Sequence, residues 1–267
     1  MISLFKIYAL FILAYLTCLT GYTQSTDTAK LQSLLTQTQN QEERLGIGAE
    51  LLDTYYHQGN LSGGLQFGRT LLFQCDTNLY SINLSKVYNR MGTIYSTMGG
   101  FDDKALLYTA KGLQIAEGIN WNQGLITGYN NLGNVYRDMG YYTQAHDYYM
   151  RTLEACEAAG DSIGKSYAYK NIGILYEQQQ WNEKALEYHQ MALAIRKRLG
   201  NKREVLSGLL NVGTAYNLLA DYQHGLQYLE EAELLALELN SELISEVFLE
   251  KGNAYLKLKN YSKAIET

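Results

Sequence analysis

Residues Asn130–Ala145 read N-N-L-G-N-V-Y-R-D-M-G-Y-Y-T-Q-A. They place Leu132, Gly133, Tyr136, Tyr142 and Ala145 in a fixed order, and that order returns along most of the chain. Gly92, Gly133, Gly173, Gly213 and Gly252 follow one another at intervals of 41, 40, 40 and 39 residues. Three residues after each glycine stands a tyrosine: Tyr95, Tyr136, Tyr176, Tyr216 and Tyr255. Twelve or thirteen after it stands a small residue: Ala105, Ala145, Ala185, Gly225 and Ala264. Leu52, Tyr55 and Gly64 form an earlier, degenerate copy. A fixed period of 20–50 residues is the mark of a stacked-repeat architecture.

Within each period the apolar residues recur by threes and fours, the spacing of a helix. Glycine inside a helix costs about 1 kcal/mol relative to alanine. Its return at one phase therefore calls for a compensating close approach. The expected geometry is a helix crossing at the glycine, with the small residue twelve on as its counterpart. The tyrosine fills the space beyond. Gly160-Asp161, Gly200-Asn201 and Asn240-Ser241 are expected to close the second helices. Gly140-Tyr141, Ala220-Asp221 and Lys259-Asn260 mark the turns inside the repeats. Gly or Asn accepts the left-handed conformation that ends a helix, and Asp or Ser caps the next one.

Composition agrees with a helical array. The 267 residues are 46% hydrophobic and 18% charged, with 24 glycines, 24 tyrosines and no proline. Without proline nothing stops a helix by force. The net charge of −5 argues against bulk attraction of nucleic acid.

The pattern resembles the tetratricopeptide repeat. Leu132-Gly133, Tyr136, Tyr142, Ala145 and Tyr149 stand in that family's order. The resemblance covers about residues 45–267. It implies an all-α fold, a right-handed α-solenoid of about six helix-turn-helix repeats with the last one incomplete. The period is longer than the family's commonest form, and the family's proline near the end of the second helix is missing. Lys251 replaces the apolar residue before the last glycine, and Trp181 comes one place earlier than the expected aromatic. Ahead of the array, 24–44 are expected to hold a leading helix and linker. The last repeat breaks off after Tyr261–Thr267, so the reading expects a chain once longer than this one.

Residues 1–23 read as a signal peptide: a basic start at Lys6, an apolar core over Ile7–Leu19, and a polar segment from Gln24. Export from a bacterium, to the periplasm or cell surface, follows as an expectation, with no membrane contact beyond that segment. Cys75 and Cys156 lie two repeats apart and are read as packing residues.

Chemistry-bearing motifs are sparse. Residues 159–166, A-G-D-S-I-G-K-S, approach a phosphate-binding loop. Such a loop follows a strand, however, and helical Tyr148–Ala158 precedes this one. His57, His146, His189 and His224 are not spaced as metal ligands and are read as packing or surface residues. Glu230, Glu231, Glu233 and Glu238, like Arg196, Lys197, Arg198, Lys202 and Arg203, are read as solvated helix ends. No cofactor, metal or catalytic site is expected.

Asparagine is the informative residue. Asn131, Asn171 and Asn211 stand two before the glycine in three consecutive repeats. In the resembled family the first helices line a concave groove, where asparagines can bond a peptide backbone. The candidate partner-binding residues are Lys86, Asn89, Arg90, Asn130, Asn134, Arg137, Lys170, Asn171, Asn211 and Asn217. Lys86 and Arg90 match the last pair of the family's clamp for a C-terminal carboxylate. Glu50 stands where the preceding repeat needs Asn, so that clamp is not expected. The reading is a non-catalytic scaffold for a protein or peptide segment. The alternative is the extracytoplasmic sensor region of a histidine kinase or transcriptional regulator.

Overall fold

A computed structural model describes residues 28–267. The expected signal peptide, 1–23, lies outside the described residues. A first helix, α1, covers 28–37. Twelve more follow in pairs: α2 (Gln41–His57) and α3 (Leu61–Phe73), α4 (Ile82–Met98) and α5 (Asp102–Gly118), α6 (Asn122–Asp138) and α7 (Tyr142–Ala159). Then come α8 (Ser162–Gln178) and α9 (Asn182–Leu199), α10 (Lys202–Leu218) and α11 (Tyr222–Glu238), and α12 (Ile244–Lys257) and α13 (Tyr261–Glu266). The described residues contain no strand. The chain divides into two compact units, Met1–Gly124 and Leu125–Thr267.

The turns are built as the sequence reading requires. Gly140, Gly160, Gly200, Ala220, Asn240 and Lys259 all have positive φ. At Gly140, Gly160, Ala220, Asn240 and Lys259, and at Gln180, which also has positive φ, the chain closes a six-residue loop of backbone. The N–H groups of Tyr141, Asp161, Trp181, Asp221, Ser241 and Asn260 bond the carbonyls five residues back. This is the wider hydrogen bond of a Schellman ending, and it satisfies carbonyls that the helix end leaves open. Side chains then cap the next helix: Asp161 accepts from the Gly164 amide and Asn201 from the Arg203 and Glu204 amides. Each such cap contributes about 1 kcal/mol.

Four of the glycines lie at close helix crossings, with a different counterpart from the one expected. A Cβ on Gly133 would lie 2.5 Å from the Tyr149 ring. On Gly92 it would meet Thr109, on Gly173 His189 and on Gly213 Leu229, all below 3.0 Å. The occupant of the glycine notch is thus the residue sixteen or seventeen on, one helical turn beyond the small residue. The small residue lends only its backbone: Ala105 and Gly225 carbonyls lie 3.2 and 3.3 Å from the notional Cβ on Gly92 and Gly213. At Gly252 nothing lies within 4 Å, so no crossing explains that glycine.

The tyrosines after the glycines pair with a second set. Tyr95–Tyr108, Tyr136–Tyr148, Tyr176–Tyr188 and Tyr216–Tyr228 have ring centroids 5.2, 5.4, 5.5 and 5.5 Å apart. Such pairs add about 0.5–1.5 kcal/mol each beyond the burial of their area. Lys251, out of place in the repeat pattern, is buried and ion-paired with Glu233, which removes the cost of a bare charge. Cys75 and Cys156 are free thiols, and burial pushes Cys156 up to about 11.

Candidate functional site

The first helices carry the candidate residues, and the structure distributes them unevenly. In the first unit, Lys86 is exposed on α4. Arg90 pairs with Asp53 of α2 and lies 5.0 Å from the centre of the Tyr56 ring. Asn89 is only 4% exposed and packs where a Cβ on Gly112 would touch it. Its carboxamide oxygen has no hydrogen-bond partner. It offers a partner no surface.

In the second unit, Asn130, Asn134 and Arg137 follow at helical spacing along α6 and are all half-buried. Asn134 Oδ1 accepts the Tyr149 hydroxyl proton at 2.8 Å. Arg137 donates to Asp138 Oδ1 at 2.8 Å and reaches Tyr149 Oη at 3.5 Å. Burial raises the Tyr149 phenol far above its ordinary range, with Arg137 opposing the shift. The face of α6 is therefore wired to the buried ring in the Gly133 notch. The next repeat repeats the wiring with other residues: His189, 1% exposed, holds Glu177 Oε1 at 3.0 Å through Nε2.

Asn171 is buried, and its amide donates to Asn130 Oδ1 at 2.7 Å, joining α8 to α6. Asn211, at the same repeat position on α10, is half-buried, and its side chain makes no hydrogen bond to a described residue. Asn217 Nδ2 donates to the Glu250 backbone and carboxylate, both at 3.1 Å, while its Oδ1 is buried without a partner. Asparagines on the first helices thus serve both to tie neighbours together and to line the surface.

Lys170 is half-buried, and its ammonium forms neither an ion pair nor a hydrogen bond with any described residue. Its Nζ lies 5.8 Å from the centre of the Tyr167 ring. Its pKa is lowered, first by burial and then by the charges of Arg196 and Arg137. Arg196 contradicts the expectation of a solvated basic helix end. It is 1% exposed, the largest fully buried side chain among the described residues. Its Nη1 donates to the Glu204 backbone at 3.3 Å, and Nε and Nη2 have no hydrogen-bond partner. By contrast Lys197 pairs with Glu231 and Lys202 with Glu238 at the surface, as expected of solvated ends.

Residues 159–166 form a helix end, a turn and a new helix. Asp161 caps α8, and Lys165 pairs with Glu157 at 2.5 Å. That geometry has no strand to aim a phosphate cradle. Among the described residues no group of three or more His, Cys, Asp or Glu could hold a metal. Among them, too, no helix is long and apolar enough to cross a membrane.

Comparison with known proteins agrees with this architecture. Residues 124–198 and 245–267 match family models described as tetratricopeptide repeat. Those two stretches are tetratricopeptide repeats. No curated protein matches it in sequence. Among solved structures, it is similar to BtubC (BKLC) from P. vanneervenii, at 20% identity and a TM-score of 0.64. That match covers 82% of this chain and 90% of the other. A signal-transduction ATPase with numerous domains and a tetratricopeptide repeat sensor, from Pyrococcus horikoshii, matches at 19% identity and a TM-score of 0.72. It covers 88% of this chain, which spans only 36% of that protein. A Rap protein complexed with competence and sporulation factor matches at 11% identity and a TM-score of 0.66, over 84% of this chain and 72% of the other. At these identities the likeness is one of fold.

Proposed function

We propose that the chain is an exported, non-catalytic scaffold that binds a peptide or protein segment along the exposed sides of its first helices. The observation that carries this reading is the division of labour within each repeat. The glycine, its tyrosine and the residue in the glycine notch are spent on packing. Positions beside them on the first helices hold Asn130, Asn134, Arg137, Lys170 and Asn211, half-buried polar groups that differ from one repeat to the next. Half-buried polar groups on rigid helices lose little freedom on binding, which favours recognition. The concave face of the array is the surface assigned to this contact, and the periplasm or cell surface is the compartment assigned to the protein.

The test is site-specific photo-crosslinking with the full chain. A benzophenone at Asn134 or Asn211 should trap the captured partner, and one at Arg151 or Met191 on the second helices should not. Equal yields from both sets would reject the first-helix face.

A second reading is favoured by one observation, the match to a repeat described as a sensor in a protein of which this chain spans 36%. On that reading the chain is the sensing part of a larger signalling protein. An apolar stretch of about 20 residues followed by a kinase or DNA-binding region, in the same reading frame downstream, would support it. A stop after one further helix would reject it.

A further inference from the structure

Three side chains, from three successive helices of the second unit, meet around the Tyr167 ring. Lys170 Nζ and Arg196 Cζ lie 5.8 and 5.5 Å from its centroid. Its hydroxyl donates to Glu204 Oε1 at 2.7 Å. Glu204 Oε2 lies 3.4 Å from Arg196 Nη2. Two cations therefore share one carboxylate, and the carboxylate is on the side of Arg196. Lys170 has no acid within ion-pair distance among the described residues. A half-buried ammonium held this way is costly, because burial and the Arg196 and Arg137 charges act against it and only the more distant Glu204 carboxylate favours it.

The arrangement is not a relic of packing. Arg196 could reach solvent from the end of a helix, as Lys197 beside it does. Instead it is 1% exposed, with Nε lacking any partner and Nη2 held only by the 3.4 Å ion pair to Glu204. A buried guanidinium with unused donors costs more than an apolar residue of the same size would. What it contributes is a fixed positive field beneath Tyr167. The ring itself is partly exposed, so the cluster opens to solvent.

We infer that Lys170, with Arg196 behind it and Tyr167 as its floor, is a subsite for one carboxylate of an acidic peptide segment. This rests on the first-helix reading above and names the chemistry of the partner there. The charge count selects the ligand. Lys170 and Arg196 carry two positive charges and Glu204 one negative, leaving a single charge to neutralise. A dianionic phosphate would overcompensate and meet the repulsion of Glu204. An aspartate or glutamate side chain matches the site. Arg137 adds no net charge, since Asp138 already pairs with it. Asn211 occupies on α10 the repeat position from which Asn171 on α8 reaches Asn130, the Lys170 position of the preceding repeat. It is thus placed as the neutral donor for the backbone on either side of the acidic residue.

The experiment is fluorescence anisotropy on the full chain at low ionic strength. The probes are labelled (Gly-Ser-Glu)4, its glutamine counterpart (Gly-Ser-Gln)4, and a phosphoserine peptide of the same length. Acetate and inorganic phosphate serve as free-anion competitors. The glutamate peptide should bind at least tenfold more tightly than the glutamine peptide. Lys170→Gln should abolish that preference, and Lys170→Arg should keep most of it. Lys197→Gln, on the second helices, should change binding less than twofold. In wild type, 13C-methylated Lys170 should titrate at higher pH once the glutamate peptide is added, which needs no variant to fold.

Equal binding of glutamate and glutamine peptides, both indifferent to Lys170→Gln, would overturn the carboxylate subsite and leave the first-helix face standing. Tighter binding of the phosphoserine peptide, or displacement by phosphate at far lower concentration than by acetate, would overturn the choice of a monoanion. Binding of no peptide, with Lys170 unmoved in its titration, would overturn the subsite and the first-helix reading together.

Discussion

The hairpins α6/α7 and α10/α11 have the same backbone plan and opposite interiors. Both bring a helical glycine against the second helix, and both stack a tyrosine pair beside the crossing. In the first, the notch at Gly133 holds Tyr149, whose hydroxyl reaches Asn134 and Arg137 on the face of α6. In the second, the notch at Gly213 holds Leu229, which reaches nothing polar. Asn217, at the repeat position of Arg137, then turns to Glu250 on α12 and leaves its own oxygen unsatisfied. One buried position therefore decides whether the first-helix surface is tied to the interior of its own hairpin or to the next helix. Arg137 belongs to the former kind of surface and Asn217 to the latter.

The comparison can be broken by emptying either notch. Tyr149→Ala should cost about 3–5 kcal/mol and Leu229→Ala about 2–5 kcal/mol, read from denaturant unfolding. Only Tyr149→Ala should also release Arg137, visible as sharper, more mobile guanidinium resonances. If Leu229→Ala disturbs Asn217 as much, the two hairpins are not distinct in the way described.

Filling the notch from the other side tests the crossing itself. Gly133→Leu should overpack against Tyr149 and destabilise by about 1–3 kcal/mol. An unchanged thermal midpoint would remove the crossing argument.

A finer probe is Tyr149→Phe. Loss of the hydroxyl should cost about 0.5–1.5 kcal/mol at neutral pH. The pH dependence follows from the raised phenol. Stability from keeping Tyr149 protonated is complete below the pKa of an unfolded tyrosine, about 10. It is lost progressively above that, as the unfolded chain ionises while the folded ring resists. Alkaline titration should therefore destabilise wild type more steeply than Tyr149→Phe. Equal slopes would mean that the ring is not shielded as the structure places it.

The smallest effect is expected at Gly252, where nothing occupies the notch. Gly252→Ala should stabilise by about 0.5–1 kcal/mol, since the helix gains propensity and no contact is lost. Any destabilisation would show that the notch is filled in solution.

These residues also show how far the sequence could be read. The period, the helix pairs and the turn positions were all visible, because glycine, tyrosine and left-handed turn residues are demanded by backbone geometry at fixed phase. The tyrosines at 108, 148, 188 and 228 recur every 40 residues, more regularly than the glycines, and that signal could have predicted the ring pairs. The notch residue could not be found by type. Thr109, Tyr149, His189 and Leu229 share a place and no chemistry, so only their distance from the glycine marks them. Arg196 was hidden for a different reason. A run of basic residues at a helix end ordinarily points to water, and only three-dimensional placement shows one of them turned inward beneath Tyr167. The asparagine column was legible as a column. Whether each amide faces a neighbour, as Asn171 does, or the surface depends on the repeat beside it.

The tyrosine pairs have an optical consequence. Trp181 stacks on Tyr176 at 5.7 Å between ring centres, and Tyr176 in turn lies against Tyr188. Ultraviolet light absorbed by these tyrosines should pass to the indole and leave as tryptophan emission. Trp121, the other tryptophan, belongs to the first unit. Replacing Trp121 by phenylalanine would leave one emitter, fed by its own hairpin. Its sensitised fluorescence would then report the opening of α8/α9 alone, using only the colours already built into the chain.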